Sequence, residues 1–176
     1  MRRTFFDALL DRAKQDKRII LITCDVGWSH MDRWKKELPS QFINAGIGEQ
    51  NAVSMAAGLA YEGKIPVVCS ITPFLILKCV EQIKLDVIYN NVVVHLVGMG
   101  VGNDYPGYGI THQCAEDIEI IGAINNAVRR PTSDARRNET TIIISTPKTL
   151  ADAHEAGSTL ADSKHPVYIR LARKPQ

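Results

Sequence analysis

The sequence has no large excess of charge of either sign and no long hydrophobic run. Its 21 Lys and Arg residues stand against 19 Asp and Glu residues, which gives a formal net charge of +2 at pH 7. A nucleic-acid-binding domain typically carries a concentrated basic field, which this balance does not supply. No apolar stretch approaches the roughly 18 residues that a membrane-spanning helix requires. We therefore expect neither nucleic acid nor a membrane among the partners of this protein.

Paired cysteines and a secretion signal are also absent. The four cysteines are Cys24, Cys69, Cys79 and Cys114, and no two of them form a Cys-x-x-Cys pair. We interpret them as buried thiols in a reducing environment rather than as a zinc site or a disulfide framework. The basic start of the chain is not followed by the apolar segment of a signal peptide. These features together predict a cytoplasmic location.

Several common catalytic motifs are missing from the sequence. It contains no GxxxxGK[ST] phosphate loop, no GxSxG nucleophile turn and no HExxH metal pair. Residues 98–102 read GMGVG, but Asn103 stands where a dinucleotide-binding loop has its third glycine. Tyr105 and Pro106 then follow where a helix should begin. We therefore expect a structural glycine loop after a strand here, and no metal site in this chain.

The pattern of apolar residues predicts the fold class. With 45% apolar and 23% charged residues among 176, the composition is that of one globular domain over residues 1–176. Strands without polar alternation, separated by helices, are typical of an α/β fold with a mostly parallel, doubly wound sheet and helices on both faces. The predicted strands are 18–26, 42–45, 66–71, 92–97, 141–145 and 167–171, and the predicted helices are 4–15, 32–38, 49–61, 73–89, 114–124 and 150–162. Ligands in such sheets bind beyond the carboxyl ends of the strands.

One stretch differs in composition from the rest of the chain. Residues 125–139 include Arg129, Arg130, Arg136 and Arg137 together with a proline and polar residues. This composition predicts a solvated, mobile loop inserted between a helix and a strand. The alternative is a loop that binds an anionic ligand.

Glu49 begins a predicted helix that is small-sided and nearly apolar all round. A carboxylate at a helix N-terminus can serve simply as a partner for the free N–H groups of the first turn. A helix with such small side chains must pack closely against another element, which we expect to be part of another subunit. A carboxylate at its start would then be buried and could share a proton with a ring nitrogen. The residues alone leave the structural and the functional interpretation open.

The stretch around Glu49 also carries a family signature. Residues 46–60 read GIGEQNAVSMAAGLA, which resembles the GIxEQNxVxxAAGLA signature of the pyrimidine-binding domain of transketolase-like, thiamine-diphosphate-dependent enzymes. Further segments resemble the motifs of this family in the same order along the chain. They are residues 25–27, 70–74 with 79–84, 109–113 with 116–118, and 166–173. The resemblance covers nearly the whole chain and implies the thiamine-diphosphate-binding fold.

The resemblance implies three contacts with thiamine diphosphate. Glu49 would hydrogen-bond N1′ of the aminopyrimidine ring and act as a catalytic residue, because that bond controls the proton leaving the thiazolium ring. Phe74 would stack on the aminopyrimidine, although an ordinary core aromatic is the alternative. Asp25 would lie near the thiazolium, where its charge favours a developing cation. A turn residue at a strand end is the alternative for Asp25.

The resemblance also implies contacts with a substrate. His112 matches the catalytic, substrate-side histidine of the family, which hydrogen-bonds a sugar hydroxyl or carbonyl oxygen, whereas the residues alone would suggest a loop histidine. Arg173, or less favourably Arg170, matches the arginine that meets the phosphate of a sugar phosphate. A surface charge after the last strand is the alternative. Tyr108 stands where many transketolases carry an aspartate that contacts a substrate hydroxyl, which favours the variant, split transketolases over those that use the standard ketose donor.

The family motif that holds the diphosphate and Mg²⁺ is absent, because no Gly-Asp-Gly occurs in this sequence. The family's third domain would begin after Arg173, so we expect a pyrimidine domain without the last one. The resemblance thus implies the pyrimidine-binding subunit of a split transketolase that transfers a two-carbon ketol unit between sugar phosphates. A partner subunit would hold the diphosphate and Mg²⁺, in a homodimer or heterotetramer. The alternatives are a deoxyxylulose-phosphate-synthase-like subunit, a 2-oxo acid dehydrogenase β-type subunit and a non-catalytic dimer.

Overall fold

A computed structural model describes residues 1–128 and 140–175 of the protein. Within these residues six strands form a sheet in which every neighbouring pair is parallel, in the order β2-β1-β3-β4-β6-β5. The strands are β1 Ile19–Thr23, β2 Phe42–Asn44, β3 Ile65–Ile71, β4 His95–Met99, β5 Ile143–Ser145 and β6 Val167–Leu171. The predicted α/β class with a parallel sheet is confirmed.

Helices cover both faces of this sheet. In β1 the side chains of Ile20 and Ile22 pack into one apolar cluster, whereas Ile19 and Leu21 pack into a second cluster on the opposite face. Such alternation explains why the strand is apolar throughout. The helices are α1 Arg2–Gln15, α2 Trp28–Glu37, α3 Glu49–Tyr61, α4 Thr72–Ile76, α5 Val80–Gln82, α6 Asp117–Val128 and α7 Leu150–Thr159, with a π-helical segment at Ile83–Tyr89 and 3₁₀ turns at Pro39–Gln41, Pro106–His112 and Leu160–Asp162.

Two elements differ from the sequence prediction in their extent. The helix predicted over 73–89 is interrupted after Ile76, because Cys79 has non-helical backbone angles. The chain then continues through α5 into the wider π-helical turns. The predicted strand 92–97 begins later, at His95, because the backbone N–H of Val92 is held in a turn by the carbonyl of Val87. This strand runs on to Met99 and therefore includes the first residues of the predicted glycine loop.

The loop prediction for residues 125–139 is wrong at its start. Helix α6 continues to Val128, since Ile121 and Ile124 extend its buried face along the apolar core. The side-chain amide of Asn125 also donates to the carbonyl of Ile142 and accepts from the N–H of Ile142, both at 2.9 Å. These bonds fix the end of the helix to the residues before β5. Residues 129–139, including the four arginines, lie outside the described residues.

The contact between α1 and α7 depends on one glycine. A Cβ added at Gly157 would lie 2.4 Å from the carbonyl oxygen of Phe5 and 3.1 Å from the Cβ of Ala8. We expect Gly157→Ala to lower the free energy of unfolding by about 1–3 kcal/mol, because the two helices must move apart. Gly122→Ala in α6 is the control, since its Cβ would meet nothing within 4 Å; it should stabilise by up to about 1 kcal/mol. Urea unfolding measures both, and equal effects of the two would contradict the prediction.

Candidate functional site

The order of the strands defines one edge of the sheet as the place for a site. The chain passes from β1 to β2 on one side and then returns to form β3 on the other side of β1. The carboxyl ends of β1 and β3 therefore flank the point at which the strand order reverses, which is where open α/β sheets bind ligands. Asp25 follows β1, and Ser70 lies near the end of β3.

Asp25 is held at this edge in an uncommon backbone conformation. Its φ is 56°, in the left-handed region that Asp and Asn tolerate better than most residues. Its backbone N–H donates to Oδ1 of Asn44 at 3.0 Å, and Nδ2 of Asn44 donates to Oδ1 of Asp25 at 3.1 Å. The loops after β1 and β2 are thus tied together. Asp25 also lines a cavity of about 400 Å³ whose walls include Arg2 and His30.

Glu49 lies in the interior at the first position of α3, and the predicted burial is confirmed. Only 1% of the residue is exposed. Ser70 Oγ donates to its Oε1 at 3.0 Å, and Lys78 Nζ donates to its Oε2 at 2.6 Å. The small residues of α3, among them Ala52 and Ala56, pack into the core with strands of the same chain. The close packing partner of these small residues is therefore the chain's own sheet, in place of the expected second subunit.

The surroundings of Glu49 determine its charge. Burial acts to raise the pKa of the Glu49 carboxyl, but the hydrogen bonds from Lys78, from its own backbone and from Ser70 outweigh it and hold the pKa below its usual range. Burial, with the charge of Glu49 as a further cause, raises the pKa of the Cys24 and Cys79 thiols to about 12. The anionic group of the pocket is therefore the carboxylate. All four cysteines are free and buried, which confirms that part of the prediction.

Aromatic rings surround the outer side of this pocket. The Phe74 ring, half-buried at α4, lies with its centroid 5.1 Å from that of His112 at an interplanar angle of 73°. The His112 ring is also 4.8 Å from that of Tyr108, and its Nδ1 is 3.0 Å from Thr111 Oγ1. Lys78 Nζ lies 5.7 Å from the Phe74 centroid. Glu49, Lys78, Phe74 and His112 thus follow one another in space from the interior to the surface.

A basic pocket lies beside these residues. It encloses about 470 Å³ and is lined by Met1, Arg2, Arg3, His30, Tyr105, Tyr108 and Arg173. The Arg2 side chain is only 12% exposed, and its guanidinium carbon lies 5.2 Å from the centre of the Tyr105 ring. In the described part of the chain, its Nε and Nη2 and the Nδ1 of His30 are buried without a hydrogen-bond partner. Buried donors without partners at a pocket indicate a place for an anionic ligand.

Arg170 and Arg173 have different surroundings. Arg173 lines the basic pocket, and its backbone N–H donates to Asp104 Oδ2 at 2.7 Å. Arg170 Nε instead donates to Oδ2 of the fully buried Asp117 at 2.7 Å, and the Tyr168 hydroxyl donates to the same oxygen at 2.6 Å. Burial lowers the pKa of Arg170, but Asp117 outweighs it and the net shift is upward. The structure therefore joins Arg170 to an internal ionic network and Arg173 to the pocket.

Sequence reasoning did not identify Arg2, Arg3 or His30 as site residues. The first two belong to α1, whose apolar stripe gives no reason to place its basic start at a site. His30 lies in α2, which begins at Trp28, earlier than the predicted residue 32. The signal available was the pair of arginines directly before the apolar stripe of α1. What makes it informative is the contact of α1 with the carboxyl edge of the sheet, which no local pattern encodes.

Neither a metal cluster nor a membrane span occurs within residues 1–128 and 140–175. In these ranges no three His, Cys, Asp or Glu side chains come together as a metal site. No helix in the same part of the chain has the length and apolar character needed to cross a bilayer.

Comparison with known proteins decides the family. The family model described as the pyrimidine binding domain of transketolase matches residues 1–175. The chain belongs to this family. As a pyrimidine-binding domain it is 34% identical over 173 residues to an apulose-4-phosphate transketolase subunit of Phocaeicola vulgatus, a match that covers 98% of this chain and 51% of that protein. It is 32% identical over 176 residues to the 6-deoxy-6-sulfo-D-fructose transketolase subunit SqwH of Clostridium sp. (strain MSTE9), covering 99% and 50%.

A solved structure shows the same architecture. The structure described as "Split gene transketolase, inactive beta4 tetramer" superposes with a TM-score of 0.77 at 25% identity, covering 99% of this chain and 51% of that one. The pyrimidine-binding domain described here therefore spans about half the length of the relatives that it matches.

Proposed function

We propose that this chain supplies the pyrimidine half of the active site in a split, thiamine-diphosphate-dependent transketolase that transfers a two-carbon ketol unit between sugar phosphates. The observation that carries the proposal is the buried Glu49 carboxylate, which is linked to the face of Phe74 through the ammonium of Lys78. Two relatives that are named as transketolase subunits support the same reaction class.

The donors and acceptors of the site fit the aminopyrimidine ring of the cofactor. Glu49 offers a carboxylate that can hold a proton at a ring nitrogen, and Phe74 offers an aromatic face on which a flat ring can stack. The contact of both groups with an ammonium shows that the space between them accepts a cation. When bound, thiamine diphosphate supplies the carbanion chemistry of the transfer. In the proposal Glu49 holds the proton at N1′, and Asp25 places a negative charge near the thiazolium.

The basic pocket fits the phosphate group of a sugar phosphate. Arg2 and Arg173 line it together with His30, and the Arg2 guanidinium keeps two nitrogen atoms without partners in the described part of the chain. Arginine matches phosphate oxygens with paired hydrogen bonds, which makes it suited to this role. His112 lies between this pocket and Phe74, in contact with Tyr108, and would hydrogen-bond the hydroxyl or carbonyl oxygen of the substrate. Arg170 is the less favoured candidate, because Asp117 already binds its guanidinium.

We expect Arg2→Ala to raise the KM for a sugar phosphate by about 10–100-fold, since a hydrogen bond to a charged group contributes about 1.5–3 kcal/mol. The unphosphorylated sugar should respond much less, because it lacks the group that Arg2 binds. Arg12→Ala is the matched control, since Arg12 lies on the same helix and pairs with Asp162 at the surface. Steady-state kinetics of the assembled enzyme measures these values, and an equal loss with both sugars would argue against the phosphate role.

The proposal requires a partner subunit that carries the diphosphate and Mg²⁺ site, because the Gly-Asp-Gly motif is absent from the sequence. Exposed apolar side chains beside the site support such an interface: Ile47 is 83% exposed and Ile110 is 86% exposed. We propose a complex in which two copies of this chain assemble, as a homodimer or with partner subunits as a heterotetramer. The buried free thiols support a location in the cytoplasm.

Reconstitution tests this function. The chain is mixed with a candidate partner that carries Gly-Asp-Gly, and cofactor binding is measured by calorimetry, followed by assays with a panel of donors and acceptors. Ketol transfer between sugar phosphates that needs both chains supports the proposal. Condensation with pyruvate would instead favour a deoxyxylulose-phosphate-synthase-like enzyme, and oxidation of a 2-oxo acid would favour the dehydrogenase type. Absence of cofactor binding with every partner would favour the non-catalytic dimer.

A further inference from the structure

Lys78 occupies the space between the two groups that the proposed function assigns to the pyrimidine ring. Its Nζ lies 2.6 Å from Glu49 Oε2 and 5.7 Å from the centroid of the Phe74 ring. A ring that stacks on Phe74 and hydrogen-bonds Glu49 would need the same space. The ammonium also has the chemistry of the ligand it would exclude, because a pyrimidine protonated at N1′ is a cation that pairs with a carboxylate.

The position of Lys78 in the chain allows its ammonium to leave this space. Lys78 lies in the irregular residues 77–79, between the end of α4 and the start of α5. Its side chain is 44% exposed, whereas Glu49 is 1% exposed. A lysine stem can lie along an apolar surface and direct its ammonium either to the carboxylate or to water. The ion pair therefore joins a fixed, buried partner to one that can withdraw to solvent.

We infer that Lys78 is an internal, displaceable ligand of the pyrimidine slot, which we define as the space between Glu49 and Phe74. Its ammonium keeps the carboxylate and the aromatic ring in place while the slot is empty, and it withdraws to solvent when a pyrimidine ring enters. Lys78 acts through Glu49 and is thus a positioning residue. The inference rests on the proposed function.

The charges around Glu49 explain why withdrawal of Lys78 matters for its chemistry. Ser70 of β3 faces the carboxylate as a neutral donor, and the nearby Cys24 and Cys79 thiols keep their protons. Lys78 is the positively charged group that the structure places on Glu49. Once it leaves, burial becomes the main influence and acts to raise the pKa of Glu49. The carboxylate then shares a proton with a ring nitrogen more readily.

The first test uses the cofactor-free chain. We expect Lys78→Met to raise the pKa of Glu49 by about one unit or more, measured by NMR titration of its labelled carboxyl carbon, because an adjacent opposite charge typically shifts a carboxyl by this amount. Lys78→Arg keeps the positive charge and should leave the titration near that of the parent chain. Lys64→Met removes an exposed ammonium in the turn before β3 and is the matched control. An unchanged Glu49 titration in Lys78→Met would overturn the inference.

The second test follows displacement directly. Thiamine diphosphate at high concentration should move the side-chain NMR signals of Lys78 to those of a solvated lysine, together with a shift of the Phe74 ring signals. Inorganic diphosphate lacks the pyrimidine ring and should leave Lys78 in place. Shifted Phe74 signals with unchanged Lys78 signals would overturn the inference alone. If thiamine diphosphate moves neither set of signals, in the chain alone and with its partner, the proposed function fails and the inference fails with it.

Discussion

Replacing Glu49 by alanine is expected to reduce ketol transfer by the assembled enzyme by about 10²–10⁴-fold, the range over which a positioned proton-transfer group contributes to a rate. The expectation follows from the placement of its carboxylate at the start of α3, 1% exposed and facing the pyrimidine slot. The substitution should affect the rate far more than the fold, because Lys78 can return to water when its partner is removed. The measurement is the turnover of a sugar phosphate at saturating cofactor.

Two further variants make this result specific. Glu49→Gln keeps the shape and the hydrogen bond of the side chain but cannot exchange a proton, so it should lose nearly as much activity as alanine. Glu62→Ala, in the exposed turn after α3, removes an equal charge away from the slot and should retain full activity. Calorimetry should still detect thiamine diphosphate on the assembled variants. Full turnover in Glu49→Ala would show that its carboxylate has no part in the chemistry.

Replacing Asp117 by alanine should cost the protein about 3–5 kcal/mol of its free energy of unfolding, which is typical when one partner of a buried ion pair is removed. Asp117 Oδ2 accepts from both Arg170 Nε and the Tyr168 hydroxyl, and Asp117 is fully buried. Its removal leaves a positive charge and a hydroxyl without a partner between α6 and β6. Denaturant unfolding followed by circular dichroism measures this loss.

A surface pair provides the control for Asp117. Asp162 pairs with Arg12 at 2.9 Å, and its side chain is mostly exposed. Asp162→Ala should therefore lower the free energy of unfolding by less than about 1 kcal/mol. The double variant with Asp117→Ala and Arg170→Met should recover part of the loss, since it removes both charges of the network. A loss for Asp117→Ala as small as that for Asp162→Ala would show that the network contributes little to stability.

Much of the fold could be predicted from sequence because local patterns determine it. Strands such as Ile19–Thr23 are buried on both faces, so their apolar runs distinguish them from half-exposed strands. The prediction was weaker where a tertiary contact sets the boundary. Val128 belongs to a helix because Asn125 bonds the backbone beside β5, and the polar composition after it suggested a loop. The π-helical turns at Ile83–Tyr89 likewise have no local sequence signature.

The candidate site divides in the same way. Glu49 and Phe74 stand in short motifs whose spacing reveals them in the sequence. Lys78 and Arg2 do not, since each matters only through the residue that the fold brings to it, Glu49 in one case and Tyr105 in the other. A lysine in a helical region and an arginine near the start of a chain are ordinary surface residues on pattern alone. Their partners become visible only in three dimensions.

The parallel sheet also constrains the order in which the protein can form. No strand among the six described can pair with its sequence neighbour through a tight turn, and Leu96 of β4 must wait for Tyr168 of β6. Of these six strands β6 is the last to leave the ribosome, yet it lies between β4 and β5. During synthesis one edge of β4 therefore stays open to pairing with another nascent chain. Formation of this edge of the sheet is a late, non-local event, and such contacts make folding slow.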